Sequence, residues 1–132
     1  LEGVALRAPK SGGPGEQIAA VDGVLQGIAV DGDEVFFSRF DGSAPGIYRT
    51  TTAGGPPELL AGEPTGTISV AVDATHVYYA QNTAGSPAIK RVPRAGGPAE
   101  TVRELEDSAV DVVVRDGCVH ATDGDRIISF SP

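Results

Sequence analysis

The chain has 132 residues, a length that suits one domain with a core of its own, and carries 18 acidic against 10 basic side chains for a net charge of −8. That balance excludes nucleic acid as a partner, because phosphates demand basic patches. No run approaches the roughly 20 apolar residues of a membrane helix, so no membrane span is expected.

Short apolar runs rich in Val, Ile and Tyr, bounded by Gly, Pro, Asn and Asp, predict strands throughout. No stretch holds a helical apolar period. The first runs are Val4 to Ala8 and Gln17 to Ala20, separated by Gly12-Gly13-Pro14. Two four-run units follow at about 27–61 and 67–103. In the second unit the runs are Thr67 to Val72, Val77 to Ala80, Ile89 to Pro93 and Glu100 to Arg103. The chain closes with Val110 to Val114, Val119 to Thr122 and a shortened Ile127 to Phe130. With the positions in a unit labelled a to d, the chain opens on c and d and closes on a, b and c.

The units are copies. Gly-Gly-Pro recurs at 12–14, 54–56 and 96–98, in steps of 42 residues. Arg7, Arg49 and Arg91 precede it, and Glu16, Glu58 and Glu100 follow it in the same register. So do Val30, Val72 and Val114, and Val35, Val77 and Val119, which are expected to be buried at equivalent places. A period near 42 built of strands and glycine turns marks a radial β-repeat, one blade per period. Ile28-Ala29-Val30 and Val112-Val113-Val114 are apolar at successive positions, so both sheet faces must be covered, as blade-on-blade packing does. The expected fold is all-β, a propeller domain over 1–132 with repeats at about 5–46, 47–88 and 89–130 and three four-stranded antiparallel blades.

Segments 28–37 and 70–79, together with Ile89-Lys90-Arg91-Val92-Pro93 and the Gly-Gly-Pro hairpin, resemble repeats of bacterial exported β-propellers, relatives of the NHL-type six-bladed propellers. The resemblance covers nearly the whole chain. It departs where the family often carries tryptophan and this chain has Phe37, Tyr79 and Ala121. The third copy is worn: Arg115 stands at the Asp31 and Asp73 position, and His120-Ala121 replaces the aromatic pair. The resemblance implies an exported protein (periplasmic, cell-surface or secreted) that works as a binding scaffold. Propellers use about four to eight blades, so three leave the ring open. The expected partner is therefore a second copy, completing six blades as a homodimer, or the remaining blades of a parent chain. The lack of methionine even at position 1 fits a processed or excised piece. Val4–Ala8 and Ile127–Phe130 both claim the c position of the blade that the termini share.

In propellers of this kind the d–a and b–c loops gather at one end of the channel. Here the b–c loops carry Arg39, Phe40 and Asp41, then Gln81 and Asn82, then Asp123 and Asp125; the d–a loops carry Asp22, Glu63 and Asp107. These differ between copies while the strands repeat, which is how rigid repeat folds make ligand sites. Asp31 and Asp73 read as Asx turns, since neither continues into a calcium loop. Arg7, Arg49 and Arg91 read as blade-edge cover paired with carboxylates. His76 and His120 lack the further ligands of a zinc site, and Cys118, the single cysteine, has no recognisable base and excludes an internal disulfide. No catalytic residue, metal or cofactor is expected. The function expected is a non-enzymatic binding or interaction scaffold. The alternatives are a lactonase-like propeller hydrolase, in which Asp22, Asp41, Glu63, Asp107 and Asp123 would converge on a metal, and a structural repeat segment of a larger surface protein.

Overall fold

A computed structural model describes residues 2–64 and 66–132; among the described residues it holds thirteen strands and no helix, hence none long and apolar enough to cross a membrane. The strands are β1 (Glu2–Arg7), β2 (Glu16–Asp22), β3 (Leu25–Asp31), β4 (Glu34–Arg39), β5 (Gly46–Thr51), β6 (Glu58–Gly62) and β7 (Thr67–Val72). There follow β8 (His76–Gln81), β9 (Ala88–Pro93), β10 (Glu100–Glu104), β11 (Val112–Arg115), β12 (Cys118–Asp123) and β13 (Arg126–Phe130). Strands pair antiparallel with their sequence neighbours in four sheets: β1-β2, β3-β4-β5-β6, β7-β8-β9-β10 and β11-β12-β13. Each predicted run falls on one of these strands. The last a strand starts at Val112 rather than Val110, because Thr122 Oγ1 accepts the N–H groups of Val110 and Asp111 at 2.7 and 3.1 Å. In the first complete sheet Ser38 Oγ accepts the Gly27 N–H at 2.8 Å in the same way, where the β3–β4 register shifts as at a bulge.

The sheets fan out from a shared inner edge, with β3 packed on β7 and β7 on β11. Gly27 permits that approach: an added Cβ would lie 2.4 Å from the Ile68 carbonyl oxygen. Three apolar layers fill the fan. Ala5, Ile18 and Ala19 meet Val35, Phe37 and Tyr48 in the first. Phe36, Ile47 and Ala61 meet Val70, Val77 and Tyr79 in the second. Tyr78, Ala80 and Ile89 meet Val112, Val119 and Ala121 in the third. Alternate residues of β4 and of β8 thus serve opposite layers, which is the strand period of two with both faces buried.

Two expectations need correction. Val35, Val77 and Val119 are buried, and Val72 and Val114 are partly so, but Val30 is 57% exposed. It faces the two-stranded first sheet, which has c and d strands only; no a strand is there to cover it. Nor are there three four-stranded blades: among the described residues two sheets have four strands, and the partial sheets stand at opposite ends of the fan, with β1 and β13 both in c positions of separate sheets.

The a–b and c–d turns form one end of the fan. There Arg7, Arg49 and Arg91 pair with Glu16, Glu58 and Glu100 at 2.7, 2.6 and 2.5 Å. Arg7 and Arg49 also donate to the Thr52 and Arg94 carbonyls of the next sheet's turn, each at 2.6 Å. The hairpin glycines Gly12, Gly54 and Gly96 take φ of 90°, 88° and 92°, a region that favours glycine. Asp73 forms the expected Asx turn, its Oδ1 accepting the N–H groups of Thr75 and His76, both at 2.8 Å. Asp31 instead pairs with Arg94 at 2.5 Å. Burial works against the Asp73 carboxylate, but those backbone donors together with the Tyr78 and Thr75 hydroxyls outweigh it and hold its pKa below the ordinary 3.8.

The layers predict a contrast in denaturant unfolding. Val77→Ala should cost about 1–3 kcal/mol, the usual range for a truncated core group. Val30→Ala, at the same kind of sequence position but uncovered, should stay within about 0.5 kcal/mol. The Asp73 turn should also be legible in pH dependence. Its contribution is present above the ordinary aspartate range and is lost as pH falls through the lowered folded value, so wild type and Asp73→Ala should converge in stability in acid.

Candidate functional site

The d–a and b–c loops form the other end of the fan. Every b strand ends there on a polar side chain that the fold buries: Arg39, Gln81 and Asp123, at 4%, 3% and 5% exposure. Buried polar heads need hydrogen bonds. Each of the three finds them in the surrounding loops, with different chemistry.

Arg39 reaches Asp22 Oδ2 at 3.0 Å, Ser43 Oγ at 3.2 Å, the Asp41 carbonyl at 2.9 Å and Tyr48 Oη at 3.3 Å. Asp41 Oδ1 accepts the Val24 N–H at 2.8 Å, and the Phe40 N–H donates to the Val24 carbonyl at 2.8 Å. One d–a loop is thereby tied to one b–c loop. In the next copy Gln81 Nε2 donates to Thr83 Oγ1 at 2.9 Å. Beside it the Asn82 amide grips the backbone of Ala109, donating to its carbonyl at 2.6 Å and accepting its N–H at 3.0 Å. In the third copy Asp123 Oδ1 accepts the N–H groups of Glu106 and Asp107 at 3.1 and 2.7 Å, while its Oδ2 holds Arg126 at 2.8 Å. Arg126 also reaches Glu106 at 2.9 Å. Asp107 Oδ1 accepts the Ser108 N–H at 2.7 Å, and Asp125 is exposed at the turn.

The middle sheet differs from its neighbours just below this end. Phe37 stacks on its cross-strand partner Tyr48, with centroids 5.6 Å apart and planes at 8°, and Ala121 lies opposite Ile128. At the equivalent place Tyr79 lies opposite Lys90, and both bond one carboxylate oxygen of Glu63, at 2.5 and 2.6 Å. The Glu63 side chain is only 5% exposed. One repeat step away on either side stand Val21 and Leu105, so an ionic group occupies an apolar position of the repeat. Burial, then the bond to Glu63 and its charge, push the Tyr79 hydroxyl pKa far up. Glu63, Gln81, Thr83, Ser86, Lys90 and Glu104 line an open cleft of about 270 Å³. A second cleft, of about 310 Å³, lies at the inner edge between Gln26, Ile68 and Val110, where Ser69 Oγ donates to Asp111 at 2.7 Å.

The ten loop residues singled out in the sequence thus fall into separate groups. Asp22, Arg39 and Asp41 form one junction, with Phe40 half-buried beside them; Asp107 and Asp123 form another; Glu63 and Gln81 share the middle cleft; Asn82 bridges two sheets. Asp125 joins none through a described bond. The carboxylates of Asp22, Glu63 and Asp123 each answer a different cation: Arg39, Lys90 and Arg126. Among the described residues no three His, Cys, Asp or Glu side chains are grouped to hold a metal ion. His76 bonds Thr75 and His120 bonds Ser129, while Cys118 is half-buried at the start of β12. Sequence reasoning passed over Tyr79, Lys90 and Thr83. A signal existed for Lys90, since the 42-residue register sets it against Tyr48.

No protein-family model matches this chain, and no curated protein matches it. Among solved structures it is similar to the computationally designed Ika4 protein, with a TM-score of 0.69 and 14% identity over 88% of this chain and 72% of that one. A nidogen/laminin complex aligns at a TM-score of 0.40 and 10% identity, over 89% of this chain and 80% of that one. The first likeness is one of fold: stacked, antiparallel, propeller-like blades in an all-β chain.

Two measurements check the junctions. Asp123→Ala removes the buried acceptor of two backbone N–H groups and should cost about 1–3 kcal/mol in urea unfolding. In an alkaline absorbance titration Tyr79 should stay protonated until the fold is lost. The raised folded value means that its contribution to stability holds below a tyrosine's ordinary range near 10 and drains away above it.

Proposed function

We propose that the chain is a non-enzymatic binding scaffold of β-propeller type, exported, carrying three blades' worth of strands as half of a six-bladed ring. Its ligand face is the end formed by the d–a and b–c loops. The observation that carries this reading is the set of buried side chains Arg39, Gln81 and Asp123: one structural position with three chemistries, each fastening the loops around it. A rigid frame with variable loop chemistry suits recognition. The middle cleft offers the ligand a held ammonium, Lys90, beside a carboxylate, Glu104, and the hydroxyls of Thr83 and Ser86. A hydrolase needs its carboxylates aimed at one point, and here they are divided among junctions with a cation in each. The missing blades come from a second copy or from further repeats of a parent chain.

Nuclear magnetic resonance of the labelled chain tests this reading, with a defined panel of neutral disaccharides and short acidic and basic peptides. Shift changes are expected at residues 39–43, 63, 81–90 and 104–108. Changes centred on the Arg7, Arg49 and Arg91 end would overturn the assignment of the ligand face. Saturable hydrolysis of a simple lactone with Ca²⁺, abolished by Asp123→Asn, would overturn the non-enzymatic reading.

A further inference from the structure

The fan ends in two unfinished sheets, and their exposed apolar side chains are related by the repeat. In the interior, an a strand presents one face to the sheet before it and the other to the sheet after it. Val70 and Val72 face back toward Ala29, and Val112 and Val114 face back toward Ala71. One step earlier, Ile28 and Val30 face back toward a sheet that has no a strand, and they are 55% and 57% exposed. One step later, Val113 stands where Ala29 and Ala71 stand, faces forward onto nothing, and is 50% exposed. The first sheet shows the same vacancy on its other face. Val4 and Leu6 point away from the β3–β6 sheet, at 43% and 57% exposure; in the repeat register Leu6 corresponds to Tyr48 and Lys90, which face the preceding sheet.

We propose that these are the two halves of one interface, made between two copies of this chain: β11 and β12 of one copy take the vacant a and b positions beside β1 and β2 of the other. This rests on the half-ring reading above and names its partner and contacts. The joined sheet has the order β11-β12-β1-β2. Val113 then covers Ile28 and Val30 of the other copy, as Ala29 and Ala71 cover the corresponding valines within the chain. Val4 and Leu6 enter the layer against Tyr78 and Ile89 of the other copy. Repeating the contact about a two-fold closes the ring, so no apolar sheet face stays open.

The exchange asks one strand to move. β13 occupies the c position on β12 that β1 of the other copy must take. β13 lacks what the c strands of the repeat share: Ser129, opposite His120, stands where β5 has Arg49 opposite Phe36 and β9 has Arg91 opposite Tyr78. β1 has the arginine, Arg7, which pairs with Glu16 across the Gly12-Gly13-Pro14 turn. One ladder is exchanged for another, so backbone hydrogen bonds balance, and the burial of Val113, Ile28, Val30, Val4 and Leu6 favours the exchange. β13 is a placeholder that satisfies the edge of β12 until the second copy arrives.

Sedimentation equilibrium of the full chain at micromolar concentration tests this. Twice the chain mass is expected. Val113→Asp and Val30→Asp alter exposed positions, so each should fold and weaken association by about tenfold or more. Leu59→Asp, exposed on the outer strand of a complete sheet, should leave association unchanged. A Cys118→Ser, His120→Cys, Ser129→Cys variant locks β13 to β12 when oxidised; it should be monomeric oxidised and dimeric reduced. A wild-type monomer would overturn this interface together with the two-copy half-ring. A dimer indifferent to Val113→Asp and to the lock would overturn this interface alone.

Discussion

Each complete sheet of this chain is apolar on both faces, so it must be covered on both sides to avoid exposing valines, isoleucines and aromatic rings to water. The three layers between sheets follow from that constraint, and so does the stacking order. Phe36 and Phe37 are neighbours in sequence yet belong to different layers, as do Tyr78 and Tyr79. Losing a sheet would therefore strip two layers at once. Ile28, Val30 and Val113, which violate the constraint, stand at the two ends of the fan, where the stack runs out; Leu59, on the outer strand of a complete sheet, is exposed as well.

The polar parts of the molecule answer the same need from the other side. Where strands leave the sheets, backbone groups lose their ladder partners and must be satisfied by side chains. At the turn end one Arg–Glu pair recurs in every copy, the arginine of the first two reaching the next sheet's turn, and Glu34 meets Arg49 and Arg94 besides. At the loop end the answers differ, with an arginine, an amide and a carboxylate doing comparable work in successive copies. Recurrence at one end and variety at the other divide the molecule into a frame and a face. The Glu63–Tyr79–Lys90 cluster extends that variety inward, putting charge where the neighbouring copies have apolar side chains.

A polar group this deep has consequences for rigidity. Glu63 is held by two donors from different strands, so its carboxylate cannot turn toward the cleft without losing one of them. The cleft therefore presents Lys90 as an oriented, partly neutralised ammonium rather than as a free surface charge. The Asn82 clamp on Ala109 has a similar effect between sheets, since it fixes the start of the last sheet against the b–c loop of the one before.

Much of the fold was legible in the residues alone because it is local. Strand runs, the glycine-proline hairpins and the Arg–Glu pairs all lie within one or two hairpins, and side chains nine residues apart across a Gly-Gly-Pro turn must meet. The loop residues of the candidate face were legible as positions but not as partners. Asp22, Arg39 and Asp41 join across two loops, and Glu63 meets Lys90 from 27 residues away, contacts that no local spacing announces. The burial of Val35, Val77 and Val119 but not of Val30 was likewise beyond sequence, because their pattern positions imply similar cover. Sequence by itself determined the strands, the turns and the repeat, through side-chain alternation and backbone preference. Only the tertiary structure decided which equivalent residues are covered, because cover comes from a neighbouring sheet, and the first and last sheets each lack part of theirs.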